Sequence, residues 1–205
     1  MLTLTGERVI PKLMKPRNGL LMEHIARYEF AGRFVWGRVL DIACGVGYGC
    51  EVLLKGQNRW VIKEVTGVDI DRQSIDYARE HYNFPKASFL VENAIDRSLP
   101  EKLGSFDCII SFETIEHLED DMGFLQNLQK LLSPGGLLVI STPLGRGRGK
   151  PCNEPYHFHQ YTLDEFTKML DRYFTQTDIY LQRDVIIEKP IAKKKYYLAV
   201  ALCRH

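Results

Sequence analysis

The chain has 205 residues, with 27 Lys and Arg against 26 Asp and Glu and a formal net charge of +1. A non-specific nucleic-acid binder or a protein drawn to anionic membranes carries a basic excess, and this chain has none. Its length suits one domain with a buried core, and its 45% apolar and 26% charged residues are ordinary for a globular protein.

Five scattered cysteines show no CxxC spacing. Residues 1–11 lack the apolar core of a signal peptide, and no apolar run reaches the roughly 20 residues that cross a bilayer. These features predict a cytoplasmic protein with free thiols and no membrane segment.

Residues 18–34 read as an amphipathic helix with Leu21, Ile25 and Tyr28 on one face. Residues 38–43 (RVLDIA) are a short apolar run that enters a glycine cluster. Similar runs recur at 65–70, 87–91, 106–111 and 137–141, without polar alternation, as expected of strands buried on both faces of a parallel sheet. Between them, residues 73–82 and 116–132 carry apolar side chains at helical spacing, and Pro134-Gly135-Gly136 turns the chain into the next strand. The stretch 144–150, rich in Gly and Arg, reads as a solvated, mobile loop. Residues 162–173 form a helix capped by Thr162 with Glu165 three residues on. Residues 178–187 and 195–203 read as an antiparallel pair at one sheet edge.

The pattern predicts an α/β fold. It has a doubly wound, mostly parallel seven-stranded sheet, an antiparallel C-terminal edge strand and helices on both faces. Residues 1–35 read as an N-terminal extension with a lid-like helix, and 36–205 as the domain itself.

The glycine cluster, Asp41-Ile42-Ala43-Cys44-Gly45-Val46-Gly47-Tyr48-Gly49, stands where the first strand ends, the place where open α/β sheets bind ligands. A nicotinamide cofactor needs G-x-G-x-x-G, and counting from Gly45 the third glycine position holds Cys50. Asp41 beside the loop would repel a pyrophosphate and attract a cation. S-adenosylmethionine, with sulfonium and ammonium groups and no phosphate, fits. Asp69 ends the second strand 20 residues after Gly49, a spacing that suits ribose hydroxyls.

These motifs resemble the class I S-adenosylmethionine-dependent methyltransferases, in particular the small-molecule group with an LDIGCGxG-type first motif. The resemblance implies a Rossmann-like domain. It also implies that Asp41, Ala43, Gly45 and Gly47 hold the methionine part. Asp69 would bind the ribose and Ile70 would lie beside the adenine. Asn93 and Ala94 would meet the adenine edge, and Ser111, Phe112 and Glu113 would lie near the methionine part. Ile115-Glu116-His117-Leu118 matches the group's E-H-L element, and Ser133-Pro134-Gly135-Gly136 its turn before the fifth strand. Two positions depart from the pattern. Ala43 replaces a glycine, which an extended backbone would accommodate, and Asn93 replaces an aspartate, whose side-chain oxygen can still accept from adenine.

Three histidines are candidate general bases: His117 after the fourth strand, and His157 and His159 before the capped helix. A base is needed only for a protonated acceptor such as a hydroxyl. His157 and His159 have no evident third partner for a metal, so no metal site is expected. Thr5-Gly6-Glu7-Arg8 and the first helix are expected to fold over the cofactor, with His24 and Tyr28 facing it. The loop at 146–150 could meet an anionic acceptor.

The Asp/Asn/Ser-Pro-Pro-aromatic element of adenine and amide methylation is absent, since that position reads Ser111-Phe112-Glu113-Thr114. The acceptor is therefore expected to be a small molecule methylated on oxygen or nitrogen, without nucleic acid or membrane partners. The rival readings are a non-catalytic binding module of the same fold and, more distantly, a nicotinamide-dependent oxidoreductase. The acceptor and the oligomeric state are not legible.

Overall fold

A computed structural model describes residues 8–152 and 154–204. Chain order is α1 (Gly19–Ala31), β1 (Gly37–Ile42), α2 (Tyr48–Lys55), β2 (Ile62–Asp69), α3 (Arg72–His81), β3 (Ala87–Val91), α4 (Leu99–Leu103), β4 (Phe106–Phe112), α5 (Asp121–Leu131), β5 (Leu132–Pro143), α6 (Leu163–Leu170), β6 (Gln176–Arg183), β7 (Ile186–Glu188) and β8 (Leu198–Arg204). The strands form one sheet in the order β3-β2-β1-β4-β5-β8-β6-β7. The pairs from β3 to β5 are parallel, whereas β8 runs antiparallel to β5 and β6.

The apolar runs lie at the centre because each strand face meets its own core. Val39, Cys108, Ile110 and Val139 pack with Tyr28, Leu53 and Ile75 from α1, α2 and α3. Leu40, Ile109, Leu138 and Ile140 pack with Leu99, Leu128 and Phe166 from α4, α5 and α6. Helices thus cover both faces, as the doubly wound pattern requires. Among the described residues no helix is long and apolar enough to cross a membrane.

The structure differs from expectation in four places. The sheet has eight strands, because the chain turns at Asp184 (φ 54°) and pairs β7 back onto β6. The helix expected from 116 to 132 is broken. Ile115–His117 forms a single 3₁₀ turn, Leu118 is extended, and α5 starts only after Asp120, whose side chain accepts from the Gly123 N–H at 2.9 Å. The short helix α4 follows a Ser-Leu-Pro start that carries no apolar stripe. The 144–150 loop is tethered: Arg148 pairs with the buried Asp121, and Gln160 donates to the carbonyls of Lys150 and Pro151 at 3.0 and 2.8 Å. Those two fixed side chains replace the solvation expected there. The predicted capping box is present, with Thr162 and Glu165 each accepting from the other's backbone N–H. Thr5, Gly6 and Glu7 lie outside the described residues.

Candidate active site

A cavity of about 630 Å³ opens at the carboxyl ends of β1, β2 and β4. Its size is that of a small-molecule site, and its place is the crevice where the strand order reverses about β1. The turn after β1 forms one wall. Its backbone is fixed by the Cys44 N–H donating to the Val68 carbonyl at 3.0 Å and the Gly47 N–H to the Cys44 carbonyl at 3.1 Å.

Two glycines of the cluster are required by close approach. A Cβ on Gly47 would stand 2.6 Å from the Phe89 ring, and one on Gly49 would stand 2.2 Å from the Tyr28 ring. Ala43 corrects the sequence reading: it is not extended but left-handed, at φ 60°. The glycine usual at that position would hold this conformation without strain, whereas alanine costs about 1 kcal/mol.

Asp69 lines the cavity and is oriented by two backbone donors, Gly45 N–H at 2.8 Å and Asp71 N–H at 2.9 Å. Burial raises its pKa against those hydrogen bonds. Ile70 beside it is 68% exposed, an apolar side chain presented to whatever enters. Asp41 sits lower, 1% exposed, with the Tyr28 hydroxyl 3.1 Å from both carboxylate oxygens. Burial pushes its carboxyl up to about 7; the Tyr28 hydrogen bond opposes the rise and the Asp69 charge adds to it. Tyr28, not Asp41, reaches the cavity wall.

Phe112 and Glu113 line the opposite side. Arg27, itself 1% exposed, pairs with Glu113 and donates to Gln182 Oε1 at 2.8 Å. His24 Nε2 lies 3.1 Å from the same Glu113 oxygen, while its Nδ1 is 2.9 Å from the Tyr48 hydroxyl. Burial alone would raise the Glu113 carboxyl, but the His24 hydrogen bond and the Arg27 charge outweigh it and hold it at about 2.

Other expected positions fall elsewhere. Asn93 and Ala94 are not part of the cavity wall. The Asn93 side-chain oxygen is taken by the Ile95 N–H at 3.1 Å, an Asx turn, and the Ala94 carbonyl by Asn127 at 2.9 Å. Ser111 is wholly buried beneath the wall, its hydroxyl without a partner.

The three histidines separate. His117 lines the cavity, with Nδ1 3.0 Å from the Tyr156 carbonyl. A carbonyl only accepts, so Nδ1 carries the proton and Nε2 of the neutral ring a lone pair. His157 meets His117 edge to face, ring centroids 4.6 Å apart. His159 turns away: its Nε2 lies 3.1 Å from the Glu119 carbonyl and its ring is outside the wall. The i,i+2 spacing of an irregular segment therefore splits the pair. The structure instead joins His157 to His117 and Glu116, whose donor atoms all lie within 4.8 Å of one another.

His24 and Tyr28 do face the cavity. Arg8, expected to fold over the cofactor, lines the cavity, whereas Arg27 and Tyr48 are site residues that sequence reasoning misses. A lone arginine next to Tyr28 reads as the solvent side of a helix, and its partner Gln182 is 155 positions away. A second hollow of about 320 Å³ lies around Met122 and Tyr161, but Arg148, Lys168 and Arg172 line it, which disfavours a cationic ligand.

Comparison with known proteins agrees with this geometry. Residues 14–181 match the family described as a methyltransferase domain. A probable S-adenosylmethionine-dependent methyltransferase of Mycobacterium tuberculosis is 32% identical over 174 residues, 83% of this chain and 60% of the relative. A ubiquinone biosynthesis O-methyltransferase of a Caulobacter strain is 32% identical over 58% of this chain and 47% of its own. The chain thus spans about 60% of the length of the first of these relatives. The plantazolicin methyltransferase, solved with S-adenosylhomocysteine, superposes with a TM-score of 0.67 at 16% identity, over 89% of this chain and 84% of its own. That last likeness is one of fold alone. The match over most of the chain, and the glycine turn and paired acids at the strand ends, place it in the methyltransferase-domain family, among the class I S-adenosylmethionine-dependent methyltransferases.

Proposed function

We propose that this chain transfers a methyl group from S-adenosylmethionine to a small-molecule acceptor, on oxygen or nitrogen. The observation that carries the reading is Asp69, fixed by Gly45 and Asp71 at the rim of a cavity that Asp71 and Glu113 also line. The residues fit the cofactor. Asp69 keeps lone pairs for ribose hydroxyls, Ile70 offers an apolar face for the adenine, and the 43–47 turn leaves room for the methionine part. Asp41, beneath Tyr28, supplies a carboxylate that a cation above it would stabilise.

When bound, S-adenosylmethionine supplies a methyl carbon on a sulfonium that is already a good leaving group. The protein's task is therefore alignment and exclusion of water, effects that can contribute on the order of 7–11 kcal/mol. Phe112 and Tyr156 offer aromatic walls for an acceptor. For a hydroxyl acceptor, His117 is the histidine in place to take the proton, because Nδ1 is held on the Tyr156 carbonyl and Nε2 is the acceptor of the neutral ring. The near-neutral chain charge and the O-methyltransferase among its relatives support a small-molecule acceptor over nucleic acid. The N-terminal segment acts as a lid, a reading supported by the Arg8–Asp71 ion pair at 2.9 Å across the cavity rim.

Calorimetric titration with S-adenosylmethionine and S-adenosylhomocysteine tests the proposal. The protein is expected to bind both, and Asp69→Ala to weaken binding at least tenfold, the loss of about two charge-assisted hydrogen bonds. Folded protein that binds neither ligand would sink the reading and favour a binding module that shares the fold.

A further inference from the structure

Glu116 is 1% exposed, and its two carboxylate oxygens have unlike surroundings. Oε2 accepts from the Thr142 hydroxyl at 3.0 Å, whereas Oε1 is buried without a hydrogen-bond partner. A buried carboxylate oxygen without a partner is costly unless a proton or a cation meets it. The His117 Nε2 is 3.9 Å from Oε1, too far for a hydrogen bond.

We propose that Glu116, His117 and His157 form a binding site for a divalent cation of the Zn(II) type. The donor set is one carboxylate and two imidazoles, a combination that suits first-row transition cations and leaves a coordination position open. The His117 ring is already set as a ligand. Its Nδ1 proton is spent on the Tyr156 carbonyl, so Nε2 presents a lone pair toward Glu116. Thr142 holds the carboxylate in the same way from behind. Such supporting hydrogen bonds are what orient metal ligands. Donors on a tetrahedral ion stand about 3.3 Å apart, so the trio must draw in by up to about 1.5 Å from its present spacing.

His117 lines the cavity, so the open position would face the acceptor. A cation there takes the lone pair that a general base would use. It would instead acidify an acceptor hydroxyl by direct ligation. The cation site itself does not depend on methyl transfer.

The test is titration of the chelator-treated 205-residue chain with Zn(II) by calorimetry and with Co(II) by visible absorption. One equivalent of each is expected to bind, with Co(II) showing the bands of a nitrogen- and oxygen-ligated site. His157→Ala, in an irregular segment outside the core, and Glu116→Gln are each expected to weaken binding at least tenfold. The metal-free melting temperature of His157→Ala should stay unchanged, and His159→Ala should bind as wild type does. No uptake by the wild type overturns the proposal, as does uptake that survives in both His157→Ala and Glu116→Gln. An intense thiolate band lost in Cys152→Ser also overturns it, since it moves the ion to the one cysteine that is not fully buried.

Discussion

Asp41 is a carboxyl held near its midpoint at neutral pH by burial, with the Tyr28 hydroxyl 3.1 Å from both of its oxygens. Its folded pKa of about 7 lies above the ordinary value of 3.8, so the folded state holds this proton more tightly than the unfolded chain does. The contribution to stability is full below the ordinary value and is lost as pH rises through about 7. Asp41→Asn removes that ionisation cost while keeping an acceptor for Tyr28. Thermal unfolding should show the variant gaining on the wild type by on the order of 2 kcal/mol between pH 5 and pH 8. The same variant should bind S-adenosylmethionine more weakly at pH 8. Parallel melting curves for the two proteins at all pH values would show that Asp41 is not buried as described. At this scale the sequence discloses Asp69 and the glycine turn, because local spacing carries them. It does not disclose the left-handed Ala43, since a backbone angle leaves no mark on residue type when alanine tolerates the strain. Nor does it disclose His24 as Glu113's neighbour or Tyr48 as His24's, because those contacts are made across the fold.

Among the elements, α1 is more than a cover. Arg27 joins it to Glu113 after β4 and to Gln182 in β6. Glu113 is depressed to about 2, so the pair stabilises the protein above the ordinary carboxylate range and fails as pH falls from about 4.5 toward 2. Arg27→Met leaves Glu113 without its arginine and is expected to lower stability by on the order of 3 kcal/mol in urea unfolding. A change below about 0.5 kcal/mol would mean that water screens the pair. The parallel strands are legible as apolar runs because both faces are buried. The break between Glu116 and α5 is not, since Leu118, Met122 and Leu125 keep helical spacing through it and only the Asp120 cap interrupts them. The β6–β7 hairpin is equally hidden, because Asp184-Val185 contains no glycine or asparagine to announce a tight turn.

For the whole molecule, the doubly wound order is legible and the route by which its ends meet is not. The cavity has walls from the N-terminal segment as well as from the sheet. Arg8→Ala is therefore expected to raise the dissociation constant for S-adenosylmethionine several-fold with little change in melting temperature, because a partly exposed pair adds at most about 1 kcal/mol to stability. Removal of residues 1–17 should weaken binding further, and unchanged affinity in both variants would leave the lid without a role. The link from Arg27 to Gln182 also has a consequence in time. The two residues are 155 positions apart, so a ribosome adding roughly 5–20 residues per second makes the second about 8–30 s after the first. Glu113 comes 86 positions after Arg27, so the arginine meets its acid first and lacks the Gln182 bond until β6 has been made. The helix that walls the pocket is thus tied to the sheet in two stages, and the second tie waits for the late strands.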